Sequence, residues 1–189
     1  MLKYTDLIKN RRSIRKFQDK EVPLDVIKSM INDSIHAPSA GNEQPWKFII
    51  VNNRDMINRI SSECKKNFLE RIAQNPADYA KKYEKMLGND AFNIFYHAPA
   101  LVLILGESAL KNLFVDCALA ASYLMMSATS KELGTCWVNF GTEIHVPRLK
   151  EELGIPENHT IVAPIAIGFP EKIPAIPKRK EPQILRIIT

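Results

Sequence analysis

The chain has 189 residues, of which 46% are hydrophobic and 25% are charged, and its formal net charge is +5. This balance is typical of a globular protein and excludes the disordered, collagen-like and coiled-coil classes. The length favours a single domain over residues 1–189. No apolar run approaches the ~18–20 residues that span a bilayer, and the first residues do not resemble a secretory signal. We therefore expect no membrane partner.

Helices and strands are predicted to mix without strict alternation. Apolar residues at helical spacing predict helices, which cover 3–11, 24–37, 54–88 in one or two pieces broken at Asn75–Pro76, 110–133 and 147–153. Runs rich in β-branched, aromatic or uniformly apolar residues predict strands, which cover 46–51, 99–105, 135–140 and 161–167. This mixture favours an α+β fold over a doubly wound sheet.

Two segments carry more specific expectations. Residues 110–133 are apolar nearly all round, which predicts a central helix buried on most sides. The chain after Gly168 is rich in proline, so it is predicted to form an extended arm. This arm ends in the strand-like stretch Ile184–Ile188.

The spacing of cysteine and histidine residues indicates the cellular compartment and whether a metal site is expected. Cys64, Cys117 and Cys136 are widely spaced and form no CxxC pair. A disulfide framework is therefore not expected, and a reducing cytoplasm is the predicted location. The four histidines show no HExxH or other paired-ligand spacing, so the sequence predicts no metal site.

A bound phosphate would have to be held by side-chain cations. The seven glycines form neither GxGxxG nor a Walker A loop, and GxSxG is missing as well. In an extended segment, Arg11, Ser13 and Arg15 would point to one side, and Arg12 and Ile14 to the other. Two guanidinium groups on one side suit a phosphate. The alternative is a solvated basic surface or a nucleic-acid patch.

A stiff polar turn at 36–46 joins a predicted helix to a predicted strand. The amides of Asn42 and Gln44 can both donate and accept hydrogen bonds, which suits the edge of a heteroaromatic ring. An ordinary turn rich in proline, glycine and asparagine is the alternative.

Four segments taken together resemble the FMN-dependent nitroreductase family. They are RRSIR at 11–15, PSAGNEQPW at 38–46, LGTCW at 133–137 and the cationic tail at 178–180, and they stand in the family's order. The resemblance implies a nitroreductase-like α+β fold, with a central, mostly antiparallel sheet flanked by helices and an extended C-terminal arm. It also implies a homodimer with an FMN in each of two clefts at the subunit interface.

The resemblance also implies which residues would contact FMN. Those from the chain that binds the phosphate and the ring are Arg11, Arg12, Ser13, Arg15, Cys136, Trp137, Val138, Asn139, Lys178, Arg179 and Lys180. Those implied to come from the partner subunit are Pro38, Ser39, Ala40 and Asn42. Arg11 and Ser13 would face the phosphate and ribityl end, and Arg15 the N1–O2 edge of the flavin. Alternation along the arm favours Lys178 and Lys180 over Arg179 as phosphate contacts.

The implied activity is hydride transfer from NADH or NADPH through FMN to a nitroaromatic, a quinone or a similar small-molecule acceptor, with ping-pong kinetics. No protein side chain is assigned as catalytic, and Cys136 is expected to pack rather than react. The alternatives are a specialised flavin reaction such as reductive dehalogenation, a flavin carrier without turnover, and a basic nucleic-acid-binding domain. Aromatic residues that belong to either a channel rim or the core are Tyr79, Tyr83, Phe92, Phe95 and Tyr96.

Overall fold

The computed structural model describes residues 4–189, so residue 3 of the predicted first helix lies outside the described residues. The helices are α1 (Tyr4–Asn10), α2 (Leu24–Ser34), α3 (Arg54–Gln74), α4 (Glu84–Leu87), α5 (Leu113–Ser130) and α6 (Pro147–Leu153). The strands are β1 (Lys47–Val51), β2 (Ala100–Glu107), β3 (Gly134–Trp137) and β4 (His159–Gly168). The predicted α+β class is confirmed.

The four strands form one antiparallel sheet in the order β1–β2–β4–β3. The longest ladder pairs β2 with β4, from Ala100 opposite Ile167 to Glu107 opposite His159. These two central strands are buried almost throughout, which explains why their sequences are uniformly apolar rather than alternating. The predicted antiparallel sheet is confirmed, and β3 lies at one edge of it.

The sheet separates two hydrophobic clusters. One face packs against α3, where Ile60 and Phe68 are buried together with Phe95. The other face packs against α2 and α5, where Met30 and Leu124 are buried. Helices thus cover both faces of the sheet. The outer edge of β3 pairs with no other strand of the described sheet, so another segment can bind there.

Local signals in the sequence account for the ends of several helices. The Asn53 side chain accepts a hydrogen bond from Met56 N at 2.8 Å and caps the start of α3. That helix ends at Gln74, because the residue before a proline is disfavoured in the helical conformation and Pro76 follows Asn75. Gly154 adopts a φ of 69° after α6, a left-handed conformation that favours glycine.

The expectation that residues 110–133 form a helix buried on most sides is wrong. The helix α5 covers only Leu113–Ser130, and a stripe of large apolar residues on it is exposed: Phe114, Val115, Leu119 and Tyr123. Among the described helices, α5 has the length and composition of a membrane span, with 44% of it buried inside the protein. Its inner face belongs to the core on one side of the sheet.

Two predicted strands also differ from the structure. The stretch 135–140 is a strand only as far as Trp137, and a short 3-10 turn covers Asn139–Thr142. The arm at 171–189 is exposed, and Ile184–Ile188 forms no strand in the described chain. A strand needs a partner for its backbone hydrogen bonds, and none of the four described strands pairs with this stretch.

Candidate functional site

The segment Arg11–Arg15 runs along the free edge of β3. Ser13 forms a parallel bridge with Thr135, and Ile14 N donates to Thr135 O at 2.9 Å. Gly134 permits this approach, because a Cβ there would lie 2.5 Å from Ile14 Cγ1. The extended backbone sends alternate side chains to opposite sides, as the sequence predicts.

Arg11 and Arg15 lie on one side of this segment, next to Cys136. Burial lowers the pKa of Arg11, and the charges of Arg12 and Arg179 lower it further. The charged neighbours that lower the pKa of Arg11 are themselves cations. This group of positive charges therefore favours the binding of an anion. A phosphate would satisfy both the charge and the hydrogen-bond donors of such a set.

The Cys136 thiol faces this cluster without becoming reactive. Burial raises its pKa, and the positive charges of Arg15 and Arg11 only partly oppose that effect. The thiol therefore stays protonated at neutral pH, and a protonated thiol is a poor nucleophile. This agrees with the packing role expected from the sequence.

Arg12 faces the opposite side of the segment, into a cavity of about 550 Å³. The cavity is walled largely by apolar side chains, among them Ile14, Leu133 and Ile176. Arg12 is 8% exposed, and its Nε has no hydrogen-bond partner among the described residues. The Arg12 side chain lies on the other side of the segment from Arg11 and Arg15, although its charge still lowers the pKa of Arg11. The resemblance groups all three as cofactor contacts.

One residue of the cationic tail at 178–180 acts electrostatically on Arg11. Lys178, Arg179 and Lys180 are all exposed on the extended arm. Of these three, Arg179 is the residue whose charge lowers the pKa of Arg11. Arg179 is thus the tail residue whose charge acts on Arg11, whereas alternation along the arm favours Lys178 and Lys180.

The turn at 38–42 is held rigidly by hydrogen bonds. Ala40 N donates to Asp116 Oδ1 at 3.1 Å, and Gln44 N donates to Ser39 Oγ at 3.0 Å. Asn42 has a φ of 58°, a left-handed conformation that asparagine tolerates better than most residues. Pro38 and Asn42 are exposed, and Ser39 and Ala40 are half-buried, so the turn presents a fixed surface.

Asp116 is a site residue that sequence reasoning missed. It is 2% exposed and carries one of the hydrogen bonds that fix the turn. The available signal was a single acid within an otherwise apolar helix, since buried carboxylates occur mainly where a donor needs them.

The turn and the cavity that contains Arg12 lie near opposite ends of α5. Asp116, which binds the turn, is in the first turn of that helix. Thr129, in its last turn, lines the same cavity as Arg12. With a rise of 1.5 Å per residue, the two positions are about 20 Å apart along the helix. Within one chain, the turn at 38–42 and the cavity beside Arg12 are therefore well separated.

The stretch Cys136–Asn139 continues from β3 toward the start of α5. Val138 is buried and its N donates to Pro164 O at 2.9 Å. Trp137 and Asn139 line a cavity of about 540 Å³ together with Phe114. The backbone of this stretch begins beside Arg11 and Arg15, while the Trp137 side chain lies on the α5 side of the sheet.

Tyr96 is a second residue that sequence reasoning did not place in the site. Its hydroxyl accepts a hydrogen bond from Arg15 Nε at 3.2 Å. Among the other aromatic residues of this region, Phe95 is fully buried in the core and Tyr79 is exposed. Sequence cannot separate these positions, because the difference depends on how the backbone turns before β2.

Within residues 4–189, no group of three or more histidine, cysteine, aspartate or glutamate side chains is placed to hold a metal ion.

The Nitroreductase family model matches residues 8–169. The chain therefore belongs to the Nitroreductase family.

Relatives and solved structures agree with this membership. A Methanothermobacter thermautotrophicus protein named "Putative NADH dehydrogenase/NAD(P)H nitroreductase" is 30% identical over 89% of this chain and 78% of its own length. The crystal structure of a nitroreductase with bound FMN from Bacteroides fragilis is 26% identical, has a TM-score of 0.80, and covers 100% of this chain and 99% of that one. Iodotyrosine deiodinase 1 of Sus scrofa is 25% identical over 96% of this chain and 67% of its own length.

Proposed function

We propose that the protein is an FMN-dependent oxidoreductase that uses NADH or NADPH. The observation that carries this proposal is the cluster of Arg11, Arg15 and Arg179 at the β3 edge, where the pKa of Arg11 is lowered by burial and by neighbouring cations. This donor set fits a phosphate-bearing cofactor with an electron-rich ring edge. The FMN bound in the Bacteroides fragilis structure supports the choice of cofactor.

When bound, FMN would supply the redox chemistry, which is hydride transfer from the nicotinamide and two-electron reduction of an acceptor. The residues of this chain would bind the cofactor and orient its ring. Arg11 and Arg179 would hold the phosphate, with Ser13 beside them on the same extended segment. Arg15 would face the pyrimidine edge of the flavin with a permanent positive charge, which stabilises negative charge at that edge.

We infer that two copies of the chain form the working unit. The exposed stripe on α5 contains large apolar side chains such as Phe114, which is 60% exposed, and Val115, which is 62% exposed. Such a stripe is typical of a surface that another chain covers. A two-fold partner with an antiparallel α5 would bring its own turn at 38–42 to the arginine cluster of the first chain. Each FMN site would then draw on both subunits.

The acceptor is proposed to be a small molecule, with nitroaromatics and quinones as the leading classes. The relationship to iodotyrosine deiodinase 1 of Sus scrofa favours reductive dehalogenation of an aryl halide as the second candidate. Anaerobic turnover of the FMN-loaded protein with a nitroaromatic, a quinone and 3-iodotyrosine would separate the two. The cytoplasm remains the proposed location, in line with three free cysteines among the described residues.

The experiment that tests the oxidoreductase proposal is anaerobic reduction followed by absorbance. Purified protein loaded with FMN is expected to lose the flavin absorbance band on addition of NADH or NADPH, and to regain it when a quinone is added. Bound FMN that no nicotinamide reduces would make the protein a carrier. Protein that binds no FMN at all would contradict the proposal.

A further inference from the structure

Tyr96 makes direct contact with the cation that we place at the flavin edge. Its hydroxyl accepts from Arg15 Nε at 3.2 Å, and its ring centroid lies 5.8 Å from Arg15 Cζ. Arg15 itself is exposed, whereas Tyr96 is half-buried and packs edge-on against Phe92 at 6.0 Å between centroids. The contact therefore joins a side chain on the surface to one that the protein holds in place.

The backbone at Tyr96 and His97 adopts the left-handed conformation, which residues other than glycine and asparagine rarely adopt. Tyr96 has a φ of 58° and His97 a φ of 55°. Left-handed conformations are uncommon for residues other than glycine and cost on the order of 1–3 kcal/mol each. Two in succession persist only where the surrounding structure fixes the backbone on both sides.

Both flanks are fixed in this way. Before Tyr96, Ile94 N donates to Ser61 Oγ at 3.0 Å, and Phe95 N donates to Asn93 Oδ1 at 2.8 Å. Ile94 and Phe95 are fully buried. After His97, Ala98 is buried, and Pro99 then leads into the central strand β2. The double left-handed turn lets the chain place Phe95 in the core and the next side chain against Arg15.

This contact decides how the guanidinium is presented. Arginine carries five N–H donors in a rigid plane, and its side chain loses roughly 2 kcal/mol of rotamer entropy when it is fixed. With Nε bound to Tyr96, the plane has a defined orientation and the two terminal nitrogens remain available. An exposed arginine without this bond would have to lose that entropy on binding the cofactor.

We propose that Tyr96 is the positioning residue for Arg15, holding the guanidinium so that its terminal nitrogens face the pyrimidine edge of the flavin. By this means Tyr96 contributes to the reduction potential of the bound cofactor. The inference rests on the proposed function, because it assumes FMN beside Arg15. It assigns Tyr96 no contact with the reacting atoms.

The first test measures potential in the FMN-loaded protein. Tyr96→Phe keeps the ring and removes the acceptor, and we expect the equilibrium constant of two-electron reduction to fall about tenfold, which is about 30 mV. In an Arg15→Gln background the same change is expected to alter that constant less than about twofold, since the two residues act as one unit. Tyr83→Phe is the matched control, because the Tyr83 ring packs against Phe140 in the same region.

The second test needs no flavin. In flavin-free protein, the Arg15 Nε–H resonance, assigned by its loss in Arg15→Lys, is expected to exchange with solvent about tenfold more slowly in the wild type than in Tyr96→Phe. Equal exchange rates would overturn the inference, as would an equal shift of potential with and without Arg15. If Tyr96→Phe binds FMN with the wild-type reduction potential, this inference is overturned and the proposed function is not. A wild-type protein that binds no FMN overturns the proposed function, and this inference with it.

Discussion

The exposed stripe on α5 leads to a quantitative prediction for Phe114→Ala. A phenylalanine side chain offers roughly 200 Å² of surface, so an exposed fraction of 60% corresponds to about 120 Å². At about 25 cal/mol per Å², covering this area contributes about 3 kcal/mol per subunit, or about 6 kcal/mol in a symmetric pair. Because association converts buried area to affinity at less than this rate, we expect the dimer dissociation constant to rise about 100- to 1,000-fold.

Sedimentation velocity over a dilution series, with the FMN content read from absorbance, measures this change. Tyr79→Ala is the matched control, because Tyr79 is 59% exposed and its neighbour Ala80 packs into the cluster on the other face of the sheet. Phe114→Ala is expected to lose FMN at the dilution where it dissociates, while the control keeps both. If Phe114→Ala stays dimeric wherever the wild type does, or if Tyr79→Ala dissociates equally, the stripe is not the interface.

Two further predictions concern the arginine segment. Arg11→Ala should weaken FMN binding about 10- to 150-fold, because a charge-assisted hydrogen bond contributes on the order of 1.5–3 kcal/mol; a fluorescence titration with unchanged affinity would remove Arg11 from the site. Gly134→Ala should also weaken FMN binding, because its Cβ would lie 2.5 Å from Ile14 Cγ1 and displace the segment from β3. Gly154→Ala is its control: a Cβ there meets no atom within 4 Å, and the strain of its left-handed φ of 69° lowers the stability of the fold rather than the affinity for FMN. Equal FMN affinities in the two variants would contradict this account.

The features that sequence could predict are those that local rules determine. The two-sided arrangement of Arg11–Arg15 follows from the alternation of an extended chain, and the structure shows the same division. The end of α3 follows from Pro76, and the end of α6 from Gly154. The four segments RRSIR, PSAGNEQPW, LGTCW and the cationic tail together indicated the family to which the chain belongs.

The features that sequence could not predict depend on contacts between distant residues. Periodicity cannot distinguish an apolar face that packs on the sheet from one that stays exposed on the surface of the chain, so the exposure of Phe114 was missed. Ala40 and Asp116 meet across 76 residues, and Arg15 and Tyr96 across 81. The left-handed backbone at Tyr96 has no sequence signal, because a tyrosine there breaks the usual preference for glycine or asparagine.

The central claim is that each cofactor site combines the arginine cluster of one subunit with the turn of the other, and hybrid dimers test it most directly. Arg11→Glu removes a phosphate contact, and Asn42→Asp adds negative charge to the turn while keeping a residue type that tolerates its φ of 58°. Each variant alone should bind FMN weakly. After subunit exchange in an equal mixture, about half of the dimers are hybrids, and each hybrid has one undamaged site between its subunits. We predict that FMN binding at wild-type affinity returns to about a quarter of all sites. No recovery after verified exchange would show that each site lies within one chain and would contradict the account.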